Sequence, residues 1–245
     1  MDTFDALLDE AAAVPLDGWD FSWFAGRATE ERPSWGYASL VADRLGDAGT
    51  VLDVQTGGGE VFAWSLAHAR RRPPLAVAVE QWQPEVAARK VDHVVKAAGL
   101  PFREAAFDLV VSRHPVGTDW PATARVLRPG GLFLSQQIGA GTNRELSEAM
   151  LGPLPPPQWQ HPEQIRAAAE AAGLEVLDVR GERLRLEFFD VAAVAHFLRK
   201  VIWTVPDFTI EKYRVQLRAV HDEISASGRF VSYSTRVLVE ARKWS

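Results

Sequence analysis

The chain is 245 residues long, 47% hydrophobic and 24% charged, a composition that excludes a disordered or fibrous protein and fits an ordinary globular one. Cysteine is absent, which excludes a disulfide framework, a thiolate zinc site, an iron–sulfur cluster and a cysteine nucleophile. The net charge of −5 disfavours a sequence-independent grip on nucleic acid. No run approaches the ~18 apolar residues of a membrane helix, and the N-terminus is acidic where a signal peptide is basic, so a cytoplasmic protein away from the membrane is expected.

In chain order, Ser34–Leu45 reads as a helix and Thr50–Val54 as a buried strand ending at a glycine cluster. Glu60–Arg71 reads as a helix, Leu75–Glu80 as a strand and Pro84–Val91 as a short helix. Val94–Ala97 reads as a third strand, Phe107–Arg113 as a fourth, and Leu132–Ile138 as a fifth, entered through the turn Arg128-Pro-Gly-Gly131. Arg144–Leu151 and Pro162–Ala172 read as helices separated by the proline-rich loop 152–157. Glu175–Arg180 and Arg183–Phe189 supply further strands. Two helices, Val191–Ile202 and Ile210–Ser225, precede a last strand at Thr235–Ala241. Strands alternating with helices from 34 to 180 predict a parallel sheet covered on both faces. The same pattern continues on either side of the proline-rich loop, so a single domain over 1–245 is expected.

The most informative stretch is Val51-Leu-Asp-Val-Gln-Thr-Gly-Gly-Gly-Glu60. Glycines between a strand and a helix let the backbone turn tightly and approach a ligand, with the amides of the helix start aimed into the gap. Glu80 ends the second strand about 20 residues beyond the loop, where a carboxylate can hold both hydroxyls of a ribose. A dinucleotide fingerprint needs a third small residue, and Phe62 stands at that place. The loop therefore suits a nucleoside without a pyrophosphate.

Four pieces in order resemble the class I S-adenosyl-L-methionine (SAM)-dependent methyltransferases, in the broad group with an LPF…FD-V segment. They are Asp53 with Gly57-Gly58-Gly59, Glu80, Leu100-Pro-Phe102 with Phe107-Asp-Leu-Val-Val111, and Arg125-Val-Leu-Arg-Pro-Gly-Gly131. The resemblance covers about residues 34–172. It implies a Rossmann-like α/β sheet with helices on both faces, a helical N-terminal segment and a helical excursion before the last strand. It further implies a helical cap over 1–46, a cofactor-binding core over 47–180, and C-terminal strands with a substrate-covering insertion over 181–245. SAM is the implied cofactor, with Asp53, Gln55, Thr56, Gly57, Gly58, Gly59, Glu80, Gln81, Leu100 and Arg113 as its implied contacts. Two departures stand out: Gln55 occupies the place of the family's first loop glycine, and Lys96-Ala-Ala-Gly99 replaces the carboxylate that often follows the third strand and binds adenine. Adenine recognition is then left to backbone groups and Leu100.

Methyl transfer from a sulfonium is an in-line displacement, so the enzyme supplies alignment and, for a poor nucleophile, a base. None of the six histidines has a zinc-site spacing, and no metal is expected. His114 follows the fourth strand, on the edge where open α/β sheets bind ligands, and is the candidate base, with Arg113 orienting it or an anionic substrate group. The other reading of the pair is that it braces the loop. Gln136 and Gln137 end the fifth strand, as polar pocket walls or structural hydrogen-bond formers. His196 lies within the apolar stripe of its helix and reads as a packed ring. Trp35, Gln137, Trp203 and Phe208 are the substrate-side candidates, the last two on a kink at Pro206 that either walls a pocket or plugs a core. In the family, N-terminal segments such as Trp19–Tyr37 often fold over the cofactor.

From Glu182 onward eight acids face eleven Lys and Arg, a weak basic bias. The expected activity is methyl transfer from SAM to a small-molecule acceptor, by a monomer or homodimer. The alternatives are an RNA methyltransferase, favoured only by that bias, and a SAM-binding protein without turnover.

Overall fold

Helical periodicity and strand alternation resolve into two separately packed units. The computed structural model describes residues 3–16, 20–81, 91–158 and 160–244. One unit comprises Met1–Arg32, Gly141–Pro157 and Arg183–Thr235; the other comprises Pro33–Ala140, Gln158–Glu182 and Arg236–Ser245. Among the described residues no helix is long and apolar enough to cross a membrane.

The first unit is mainly helical. Helix α1 (Thr3–Ala13) buries Phe4, Leu8 and Ala11, one stripe at helical spacing. The stripe joins a core centred on α7 (Val191–Lys200), which is buried almost all round. Asp190 caps α7 by accepting the Ala193 amide at 2.7 Å, satisfying one of the first-turn donors. Helices α5 (Arg144–Leu151) and α8 (Arg214–Ser227) close the core, and Gly228, at φ +83°, ends α8 in the left-handed turn that favours glycine. Strand β1 (Ala28–Glu30) pairs antiparallel with the distal end of β7 (Leu174–Phe188). His196 is buried between Trp23 and Phe24, with ring centroids at 4.8 and 5.1 Å. Burial, then Arg199 and Lys200, hold its pKa below the usual value, so it is a neutral packed ring.

The second unit is a sheet with helices on both faces. Strands β2 (Thr50–Val54), β3 (Leu75–Glu80), β4 (His93–Lys96), β5 (Phe107–Arg113) and β6 (Leu127–Ile138) pair in parallel, and β8 (Phe230–Lys243) pairs antiparallel with β6. The order is β7-β8-β6-β5-β2-β3-β4. One face packs Val51, Leu109 and Leu134 against α2 (Tyr37–Leu45) and α3 (Glu60–His68). The other packs Leu52, Val110 and Phe133 against α4 (Trp120–Val126) and α6 (Pro162–Ala171). That alternation is the period of a strand buried on both sides. From β2 the chain steps outward through β3 to β4, then returns to the opposite flank of β2 as β5. The carboxyl ends of β2 and β5 thus meet at a topological switch point, where such sheets open a crevice.

At the opposite, amino edge, Asp108 accepts the Gly49 and Thr50 amides at 3.0 and 2.8 Å and the Thr50 hydroxyl at 3.0 Å, while Arg128 donates to its other oxygen at 2.6 Å. Burial alone would raise the Asp108 pKa; the Arg128 and Thr50 bonds outweigh it and hold the group below the usual carboxylate range. Arg125 donates to the Leu100 carbonyl at 2.8 Å and the Phe102 carbonyl at 2.5 Å, clipping the Leu-Pro-Phe segment in place.

Several expected boundaries shift. The fifth strand begins at Leu127, and the turn Arg128-Pro-Gly-Gly131 is a register shift inside it: Phe107 faces Leu127 but Leu109 faces Leu132. Gly130 takes φ +74°, and a Cβ on Gly131 would lie 2.9 Å from the Arg128 carbonyl. The strands expected on either side of Gly181 are one strand, β7. The last strand starts five residues early, at Phe230. Helix α2 starts at Tyr37, α3 ends at His68, α7 ends at Lys200 and α8 starts at Arg214. Of the helix expected over 84–91, residues 84–90 lie outside the described residues. Helix α4 and strand β1 were not expected.

Candidate functional site

At the switch point, β2 runs into Gln55 and the three glycines that precede α3. Three residues of this turn have left-handed backbone: Gln55 at φ +55°, Gly57 at +58° and Gly59 at +74°. Glycine adopts that region freely, whereas a residue with a Cβ is strained there by about 1 kcal/mol or more. Gln55 bears this strain with its side chain engaged at both ends. Its Nε2 donates to the Gly117 carbonyl at 2.8 Å, and its Oε1 accepts the Val116 amide at 2.7 Å. The residue in place of a loop glycine thus ties the β2 turn to the loop after β5. Among the described residues nothing lies within 4 Å of where a Cβ on Gly57 would sit, so that backbone borders open space among them. A Cβ on Gly58 would meet the Glu60 carboxylate at 2.2 Å, displacing only a flexible side-chain end.

Two carboxylates brace the turn. Glu80, buried at the end of β3, accepts the Gly57 amide at 2.7 Å through Oε2 and the Gln81 amide at 2.7 Å through Oε1. Asp53, buried in β2, accepts the Thr56 hydroxyl at 2.5 Å. Burial pushes the Asp53 carboxyl up to about 7; the Thr56 bond opposes this, the neighbouring Glu80 charge adds to it, and Arg113 pulls it down. Tyr37 is buried nearby and held well above its usual pKa, by burial first and then by Asp53.

The loop after β5 is fixed from several sides. Ser112 donates to the Val54 carbonyl at 2.8 Å, and the His114 amide donates to the Gln136 carbonyl at 2.7 Å. The Trp35 indole donates to Gln136 Oε1 at 2.7 Å, and Gln136 Nε2 lies 2.8 Å from His114 Nε2. An indole N–H can only donate, so the amide oxygen of Gln136 faces Trp35 and its nitrogen faces His114. His114 Nε2 is therefore the acceptor, and the ring proton sits on Nδ1. Burial, then Arg113 and Arg236, push the His114 pKa down to about 2, so the imidazole is neutral. On the other face of β6, Gln137 donates to the Thr118 hydroxyl at 3.0 Å.

The solved structures that match most of the chain include the following three. A candidate methyltransferase from Bacillus halodurans is 18% identical, with 85% of this chain and 99% of that one covered, at a TM-score of 0.58. A functionally unknown protein from Deinococcus radiodurans is 15% identical, with coverages of 88% and 90%, at a TM-score of 0.61. The [4+2]-cyclase SpnF is 21% identical, with coverages of 98% and 92%, at a TM-score of 0.50. In this chain the sheet is parallel with a reversed strand, β8, beside β6. The fold is that of the class I methyltransferases. No family model and no curated protein matches the sequence.

On this class I scaffold, Asp53, Gln55, Thr56, Gly57, Gly58, Gly59, Glu80 and Gln81 lie on the β2 turn and the adjoining end of β3. Arg113, His114 and Gln137 lie on the neighbouring ends of β5 and β6. Trp35 meets that group through Gln136, with its indole buried and the Arg180 guanidinium 5.9 Å from its ring. Leu100 is buried with Leu52, Val79 and Phe107. Trp203 and Phe208 belong to the helical unit and differ from each other: Trp203 is exposed, whereas Phe208 stacks on Tyr213 at 5.5 Å and joins the core. Trp19 lies outside the described residues. Gln55 was legible as a departure from the glycine pattern but not as a clamp. Arg236, 122 positions beyond His114, carried no sequence signal because only the β6–β8 register brings it to this edge.

Proposed function

We propose that this chain is a SAM-dependent methyltransferase acting on a small-molecule acceptor, with its cofactor at the carboxyl ends of β2 and β3. The observation that carries the reading is Gly57: among the described residues its backbone borders open space while its amide is held by the buried Glu80 carboxylate, an acceptor suited to vicinal hydroxyls. Asp53, Thr56 and Gln81 stiffen this cradle, and Leu100 supplies an apolar wall. When bound, SAM supplies an electrophilic methyl group on a sulfonium. The protein's part is to align donor and acceptor and exclude water, with Arg113, His114 and Gln137 on the acceptor side. The neutral His114 contributes there as a hydrogen-bond donor through Nδ1; a base with a pKa near 2 is too weak to take a proton at neutral pH.

The small-molecule reading over RNA is supported by the basic residues of the C-terminal stretch. Arg183, Arg185, Arg229 and Arg242 are already engaged by Glu145, Glu187, Glu187 and Glu175 at 2.6, 2.7, 3.0 and 3.1 Å. Charge neutralised in the chain adds little to a phosphate grip.

Calorimetry with S-adenosylhomocysteine tests the cofactor reading. Glu80→Ala, in a folded variant, is expected to weaken binding by roughly ten-fold to a hundred-fold, the loss of about 1.5–3 kcal/mol in charge-assisted bonds. Unchanged affinity removes Glu80 from the site, and absence of binding to the native chain rejects the reading.

A further inference from the structure

We propose that Gln55 is a positioning residue that couples the two halves of the site: a cofactor seated on the Gly57–Gly59 turn orders the loop after β5, residues 115–118, through the Gln55 side chain. This inference rests on the methyltransferase reading and adds to it how the donor side governs the acceptor side.

The tip of that loop hangs on one side chain. Its two ends are fixed elsewhere: the His114 amide donates to the Gln136 carbonyl at 2.7 Å, and the Thr118 hydroxyl accepts from Gln137 at 3.0 Å. Between them Val116 is 92% exposed, Gly117 is exposed, and among the described residues nothing lies within 4 Å of where a Cβ on Gly117 would sit. The Val116 amide donates to Gln55 Oε1 at 2.7 Å, and the Gly117 carbonyl accepts from Gln55 Nε2 at 2.8 Å. Among the described residues no other hydrogen bond reaches Val116 or Gly117. A segment with so few buried contacts sits at the low-stability end of a fold, so its order depends on those two bonds.

The other end of the tether is the cofactor turn itself. Gln55 lies two residues before Gly57, and its amide donates to the carbonyl of Val79, the neighbour of Glu80, at 2.9 Å. Glu80 in turn accepts the Gly57 amide at 2.7 Å. Gln55 takes φ +55°, where a Cβ is strained and a glycine is not. Such strain persists where the surroundings over-determine it, and here they are the bonds from its backbone to β3 and from its side chain to the loop. A glycine would relieve the strain and cut the tether. A ligand that stills the turn leaves Gln55 less freedom to lose when its two bonds to the tip form, which is coupling through conformational entropy. Ser112, bonded to the Val54 carbonyl at 2.8 Å, joins the same strands at the base of the loop and does not touch its tip. By reciprocity, an acceptor that holds the loop tightens cofactor binding by the same factor.

The test is amide exchange, resolved by NMR, on the full chain with and without saturating S-adenosylhomocysteine, for the native chain, Gln55→Asn and Gln55→Gly. Both replacements suit left-handed backbone, and neither spans the gap: asparagine is one methylene short and glycine has no side chain. Calorimetry sets saturation for each protein. In the native chain the ligand is expected to slow exchange at Gly57–Gly59 and, about ten-fold, at Val116 and Gly117, the scale of an ordinary coupling free energy. In both variants the slowing at Gly57–Gly59 should persist and that at Val116 and Gly117 should vanish. A purely structural clamp predicts a different result, faster loop exchange in the variants with the response to ligand kept. Three outcomes overturn the proposal: loop protection by ligand that survives in either variant, native loop exchange indifferent to bound ligand, or loss of ligand binding in both variants, which would make Gln55 a cofactor contact. Absence of binding to the native chain defeats the methyltransferase reading itself, whereas binding with protection confined to the turn defeats only the coupling.

Discussion

The two edges of the sheet use polar residues in opposite ways. At the amino edge, Asp108 gives both oxygens to partners in the chain, and Gly131 leaves no room for a side chain. At the carboxyl edge, Gln55 and His114 hold positive φ angles, Gly57 borders open space among the described residues, and the buried Asp53 and half-buried His114 are displaced from their ordinary pKa values in opposite directions. Against burial, partners in the chain lower the Asp108 pKa at one edge, whereas burial is the first cause of the displaced Asp53 and His114 at the other, a pattern common at ligand sites. Of the four pieces that carry the family resemblance, Asp53 with the glycines and Glu80 lie at the proposed functional edge, whereas Asp108 and the Arg128–Gly131 turn lie at the structural one.

The largest expected effect is at the amino edge. Asp108→Ala removes the acceptor for two amides, a hydroxyl and a guanidinium, and is expected to cost about 2–4 kcal/mol, or roughly 5–15 °C in Tm. Affinity for S-adenosylhomocysteine in the folded variant should stay unchanged. A thermal melt paired with calorimetry checks both halves, and lost affinity without lost stability would break the contrast between the edges.

A smaller effect separates the two displaced groups at the carboxyl edge. Asp53 has a raised native pKa, so the native state holds a proton that the unfolded chain has released between about pH 4 and 7, and stability falls with rising pH there. His114 has a lowered native pKa, so below about pH 6.5 the unfolded chain binds a proton that the native state refuses, and stability rises with pH up to that point. Each slope is about 1.4 kcal/mol per pH unit and the two oppose each other between about pH 4 and 6.5. Urea denaturation across that range should therefore show Asp53→Asn losing more stability than the native chain on acidification, and His114→Asn gaining some. Parallel pH profiles for the two variants would refute the opposed ionisation.

How much of this was readable in the sequence follows the same physics. Strands Thr50–Val54, Leu75–Glu80 and Phe107–Arg113 and helix Arg144–Leu151 were legible to the residue, because apolar runs bounded by turn residues announce themselves. The start of β8 was not: Ser232 and Ser234 are buried polar residues whose hydroxyls bond Glu145 and Glu30, so the alternation looked broken. Helix α4 was missed because seven residues are too few to show a period. The glycine turn and Glu80 were legible as chemistry, but the Trp35–Gln136–His114 relay joins three distant segments and no local pattern reveals it. The expectation of His114 as a base came from an unperturbed pKa, which sequence alone cannot correct for burial.

The smallest expected effect is at Gln55. Gln55→Gly relieves a strained φ and loses two side-chain hydrogen bonds, terms of similar size near 1 kcal/mol each, so stability should change by less than about 1 kcal/mol. The loop 115–118 should become more mobile, seen as faster amide exchange at Val116, whose partner is the Gln55 side chain. Unaltered Val116 exchange would deny the clamp.

Hydrogen exchange with and without S-adenosylhomocysteine measures both edges in one experiment. The account predicts slowed exchange at residues 55–59, 80–81 and 112–118, and no change at 103–108 or 127–131. Protection at the amino edge, or none at the carboxyl edge, would contradict it.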